Sequence, residues 1–199
     1  IPHARTFADR LEIGENIQSA LADLLKMQSL PTLVGDEGGF APHLATNREP
    51  LRLITQAIER TDHPIGKAVH LGIDAAASEF FVAADRRYFL KQEQRRLTSD
   101  ELIAYYQELV EEFFLVLLED GLADVDEGGW QRLTKLMKEK VLVVGDDLFV
   151  TNPHRLAQGI QKGMANAVII KPNQIGTLSE TVAATMLAYA NDYTPILSH

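Results

Sequence analysis

Apolar positions along the chain follow two rhythms. Phe7, Leu11, Ile17, Leu21, Leu24 and Leu25 keep roughly helical spacing to about residue 28, and Thr6 with Asp9 reads as a capping box ahead of them. The same spacing returns over 49–60 behind Thr46 and Glu49, and from the Thr98/Glu101 box through "LIAYYQELVEEF". Shorter helices are predicted at about 131–139 and 153–163, and a last one opens at the Thr177/Glu180 box. Between them lie short apolar runs of strand length: "AVHLGID" (68–74), "FFLVLLED" (113–120), "VLVVGDD" (141–147), "AVIIKPN" (167–173) and "TPILSH" (194–199). Strands that are apolar almost throughout, alternating with helices, predict an α/β protein with a parallel sheet covered by helices. Tyr105, Tyr106, Phe113 and Phe114 fall at core or helix-packing positions, and Trp130, after Gly128 and Gly129, seats a helix start.

Each predicted strand ends on a chemically capable residue: Asp74, Glu119, Asp146, Lys171 and His199. In a β/α barrel the strand C-termini open onto one face, where active sites sit. A single aspartate at a strand end is ordinarily a turn or cap residue. Three acids at successive strand ends are different, because like charges converging in a cleft repel without a cation. Three carboxylates plus waters or substrate oxygens suit Mg²⁺, which prefers octahedral oxygen coordination. Asp120 and Asp147, next to two of these acids, read as supporting partners or loop caps. Lys171 could snorkel from its strand end; in a partly dry cleft beside a metal it becomes a candidate general base. Pro172 restricts it to extended backbone. His3, His43, His63, His70 and His154 have no ligand spacing.

Composition narrows the class. The 199 residues, 46% hydrophobic and 24% charged, are ordinary for a globular domain. A net charge of −9 argues against a phosphate-backbone binder, although a bound metal would still admit a small anionic substrate. There is no cysteine. No apolar run approaches the ~20 residues of a membrane span and no secretory signal opens the chain, so a cytoplasmic location is expected. The strands lack a Gly-rich phosphate loop. The chain starts at Ile1 and ends on Ser198 and His199 directly after "TPIL", from which a piece of a longer polypeptide is expected.

"VGDEGGFAP" (34–42), "GIDAAASEFF", "LLEDGLADVDEGGW", "VGDDLFVTNPHR", "VIIKPNQIGTLSET" and the terminal "LSH" occur in the order found in the enolase family, which the chain resembles over nearly all its length. The resemblance implies an enolase-type TIM barrel, incomplete here with about five of eight strands, residues 1–199 forming part of the C-terminal barrel domain without the N-terminal domain and final strand. It implies Mg²⁺-dependent dehydration of 2-phosphoglycerate to phosphoenolpyruvate, a glycolytic lyase reaction. Glu37 would be the general acid and Lys171 the base; Asp74, Glu119 and Asp146 would hold the metal, with Glu119 and Asp146 also at the substrate beside His199. Gly38 and Gly39 would let the Glu37 loop close. The family is commonly dimeric, so a homo-oligomer is expected, with no nucleic-acid partner. An Arg-Ser phosphate-binding pair and a second active-site lysine have no counterpart here. A non-catalytic enolase-like protein is the alternative; losing Lys171 or a metal acid would have favoured it, and all are present. A superfamily member acting on a different carboxylate is the third reading.

Overall fold

A computed structural model of the chain describes residues 1–35 and 38–198. They form two compact units, one of Ile1–Leu71, Lys91–Gln94 and Glu112–Phe114, the other of Gly72–Leu90, Arg95–Glu111 and the chain from Leu115 on. In the first, α1 (Phe7–Met27) and α2 (Glu49–Glu59) close over a core of Leu24, Leu25 and Leu53. The Asp9 N–H donates to Thr6 Oγ1 at 3.1 Å, as the capping pattern predicts. Only half of the Thr46/Glu49 box forms: the N-cap is Arg48, and the Glu49 carboxylate accepts the N–H of Ala45 at 2.6 Å and of Thr46 at 3.4 Å.

The second unit begins at Gly72, within β1 (Leu71–Asp74). It continues through a three-stranded antiparallel sheet, β2 (Phe81–Val82), β3 (Arg87–Leu90) and β4 (Arg95–Leu97), which the apolar pattern does not predict. Its turns place Arg86 and Gln94 at φ 52°, a left-handed conformation usually signalled by glycine or asparagine. With ordinary residues there, the segment reads as polar loop. Then come α3 (Ser99–Phe113), β5 (Leu115–Glu119), α4 (Glu127–Met137), β6 (Leu142–Gly145), α5 (Pro153–Lys162), β7 (Ala167–Ile170), the one-turn α6 (Pro172–Ile175), α7 (Leu178–Ala190) and β8 (Thr194–Leu197). All five predicted parallel-sheet strands are present, in the order β1-β5-β6-β7-β8. The strands are shorter than the apolar runs because Phe113 closes α3 and Lys171 caps α6.

Register explains how the sheet presents its residues. Glu119 pairs with Val144, Val144 with Ala167, and Ile169 with Ile196, all parallel. Leu117, Leu142, Val144, Ala167, Ile169 and Ile196 form one apolar cluster, hence one face. By the period of two, Glu119, Asp146 and Lys171 continue that face past its apolar part. Leu118, Val143, Val168 and Ile170 alternate to the other face and are also buried, so both faces are covered, as near-continuous apolar strands require.

Helix α4 starts four residues before the predicted 131. Asp126 caps it by accepting the Gly129 N–H at 3.1 Å. A Cβ on Gly129 would lie 2.5 Å from the same carboxylate, so the glycine pair permits the cap and does not break the helix. Asp126 Oδ2 also accepts from Tyr88 Oη at 2.9 Å and Ser99 Oγ at 2.5 Å, while the Ala123 N–H donates to Tyr88 Oη at 3.1 Å. This buried network fastens the antiparallel sheet to the turn after β5. Tyr88→Phe leaves Asp126 short of a donor and the Ala123 amide without its acceptor. It should cost about 1–3 kcal/mol in urea unfolding, and an unchanged midpoint would show that the network carries no stability.

Candidate metal and proton-transfer site

Strand ends bring Asp146 and Lys171 into contact and set Asp74 and Glu119 on adjoining strands. The Ala75 N–H donates to the Glu119 carbonyl at 2.9 Å and the Asp120 N–H to the Val144 carbonyl at 3.0 Å, which sets the end of β1 beside β5 and β5 beside β6. Asp74 is exposed, its Oδ1 accepting the Ala76 N–H at 3.1 Å. Asp146 is buried, and its Oδ2 accepts from Lys171 Nζ at 2.6 Å. Its Oδ1 is buried without a hydrogen-bond partner among the described residues. Glu37 and His199 lie outside the described residues.

The field of the acids registers on Glu119. Burial, then the charges of Asp74, Asp146 and Asp120, push its carboxyl up to about 7, with Lys171 opposing. Asp120 is pushed up to about 6, chiefly by burial. Its oxygens accept the N–H of Asp146 at 3.0 Å and of Asp147 at 2.8 Å, the capping role read for it from the sequence. Asp120, Asp146 and Asp147 offer carboxylate oxygens within 4.8 Å of one another, close enough to share a metal ion. Asp120 is already engaged by two amides, whereas Asp146 keeps one oxygen without a hydrogen-bond partner among the described residues. The orphaned buried Asp146 Oδ1, beside a Glu119 carboxyl raised by burial and then by its acidic neighbours, belongs to a donor set that a hard divalent cation would satisfy.

One contributor escaped the sequence reading. Thr151 is fully buried, and its Oγ1 accepts the Lys171 N–H at 2.9 Å. A threonine in a loop carries no spacing signal; only its burial reveals it.

A family model described as the enolase C-terminal TIM barrel domain matches residues 2–199. The chain belongs to the enolase family. Enolase from Legionella pneumophila (strain Lens) is 46% identical over 196 residues, covering 98% of this chain and 46% of the relative. Enolase from Acidothermus cellulolyticus (strain 11B) is 50% identical, covering 98% and 45%. This enolase-family chain thus spans less than half the length of these curated relatives. Its five-stranded sheet corresponds to an incomplete barrel, as the strand count predicts. Among the described residues no helix is long and apolar enough to cross a membrane.

The raised Glu119 carboxyl fixes a pH dependence. Folded Glu119 keeps a proton to about 7, whereas the unfolded group releases it near 4.5. Its contribution is therefore fully present below about 4.5 and is lost as pH rises to about 7. In EDTA, melting temperature should fall across that window, and Glu119→Gln should flatten the fall. An equal slope in both proteins would place the proton elsewhere.

Proposed function

We propose that the chain carries the catalytic core of an enolase: the Mg²⁺-dependent dehydration of 2-phospho-D-glycerate to phosphoenolpyruvate in cytoplasmic glycolysis, in a homo-oligomeric enzyme. The observation that carries this reading is Lys171 Nζ at 2.6 Å from Asp146 Oδ2, on the face that Glu119 shares and beside the end of β1.

The chemistry asks for this arrangement. A proton beside a carboxylate is weakly acidic, and its removal builds a doubly charged enediolate that only fixed positive charge can stabilise. Asp74, Glu119 and Asp146 would hold Mg²⁺, which when bound supplies that charge at the substrate carboxylate. Lys171, extended at φ −121° and followed by Pro172, aims its amine from the strand end and takes the C2 proton. Glu37 protonates the leaving 3-hydroxyl, and His199 binds substrate. Gly38, at φ 80°, takes a backbone conformation that side-chain-bearing residues adopt at a cost.

Base and acid serve separate steps, which separates their variants. In the full-length gene product carrying this chain, Lys171→Ala should abolish hydrogen–deuterium exchange at C2, a loss of roughly 10²–10⁴-fold or more, with substrate binding largely kept. Glu37→Gln should retain exchange and lose dehydration. Persisting C2 exchange in Lys171→Ala removes the lysine as base.

The metal set is tested by titration. Asp146→Asn leaves too few charged oxygens for a hard cation, so calorimetry should show Mg²⁺ affinity weakened at least about tenfold. Unchanged affinity in Asp146→Asn, Glu119→Gln and Asp74→Asn alike would dismiss the assignment.

A further inference from the structure

Thr151 sits in a backbone conformation that its side chain disfavours. Its φ is 56°, and that of Val150 before it is 46°, so two consecutive β-branched residues occupy the left-handed region. Such strain persists only where the surroundings over-determine it. Here they do. The Asp146 carbonyl accepts the N–H of Phe149 at 3.0 Å and of Val150 at 2.7 Å, and the Asn152 N–H donates to the Phe149 carbonyl at 2.8 Å. Asn152 then caps α5. Phe149, buried, lies against Gly145 and Gly159, where an added Cβ would overlap its ring. With Asp120 holding the Asp146 and Asp147 amides, residues 145–152 form a bracket whose shape is set at both ends.

From that bracket the Thr151 hydroxyl reaches β7. It accepts the Lys171 N–H at 2.9 Å and lies 3.2 Å from Gln174 Oε1 and 3.3 Å from the Ile169 carbonyl, either of which can take its proton. A circuit closes: Asp146 through the bracket to Thr151, Thr151 to the Lys171 backbone, and Lys171 Nζ back to Asp146 Oδ2. The Lys171 amide needs this acceptor because β7 ends at Ile170 and α6 starts at Pro172, so neither element supplies one. We propose that Thr151 is a positioning residue that fixes the backbone of Lys171 relative to Asp146, so that the amine meets the substrate C2 proton in a reactive geometry. The proposal rests on the reading of Lys171 as the base.

Thr151→Val isolates the hydroxyl, because valine keeps the β-branch, the volume and the left-handed strain. Thr151→Ser keeps the hydroxyl, and Thr151→Ala provides a second hydroxyl-free variant should the valine protein fail to fold. Two readouts are made on the full-length gene product. The first does not depend on activity: exchange of the Lys171 amide with solvent should speed up at least about tenfold in the valine and alanine proteins and stay slow in the serine protein. The second is kinetic: kcat and C2 exchange should fall roughly 10²-fold in the hydroxyl-free variants with KM within about twofold, and serine should restore most of the rate. An unaltered Lys171 amide in the hydroxyl-free variants overturns the proposal, as does an unaltered kcat in an active enzyme. A wild-type protein without C2 exchange removes the enolase reading. In that event the amide measurement still decides whether Thr151 holds Lys171.

Discussion

The ion pair between Lys171 and Asp146 is the constraint on which the candidate site turns. The side chains are only 20% and 11% exposed, so both charges are largely withdrawn from water. A pair so placed contributes little net stability, since desolvation offsets the attraction, yet removing either partner leaves an uncompensated buried charge. Its value lies in geometry. It ties the tip of β6 to the tip of β7 by a bond that tolerates little displacement, and the parallel register leaves Glu119 on the same face. The acids are thereby kept close in a partly buried setting, and burial first, with the neighbouring charges after it, raises the carboxyls of Glu119 and Asp120.

What made this legible in the sequence was the coincidence of two periods. Strand-length apolar runs located all five strands of the parallel sheet, and the residue following each run identified Asp74, Glu119, Asp146 and Lys171 at the strand ends. The polar residue type alone could not have done this; its position after a buried run could. The antiparallel sheet was illegible because its turns rest on Arg86 and Gln94, whose left-handed backbone is paid for by pairing and packing and is not announced by glycine. The early start of α4 was hidden for a related reason. Gly128 and Gly129 resemble a break until the Asp126 carboxylate is seen occupying the space a Cβ would need.

Supporting residues were the harder class. Asp120 could be suspected because it follows a site acid directly, and a carboxylate at a strand end commonly turns back onto neighbouring amides. Thr151 offered no such cue. Its role depends on contacts across 20 residues of chain, to Lys171, and on a bracket whose shape is written in Gly145, Phe149 and Gly159 together. Pattern reading finds residues that repeat or that end elements; it does not find a hydroxyl whose importance comes from where a loop is forced to pass.

The same logic bears on the far side of the sheet. Leu178, Val182, Met186 and Tyr189 recur at intervals of four, four and three along α7 and are all exposed, while Thr181, Ala184 and Ala188 of the same helix are buried. A helix with two apolar stripes is built to be covered twice. Strand β8, beside it, lies at one end of the sheet order, and Leu197 is exposed there. In a closed β/α barrel the next strand pairs with such an edge, and its helix packs on such a stripe. The apolar surface of α7 and the open edge of β8 are therefore two expressions of one incompleteness. Both lie at the β8 end of the sheet order, opposite the end formed by β1.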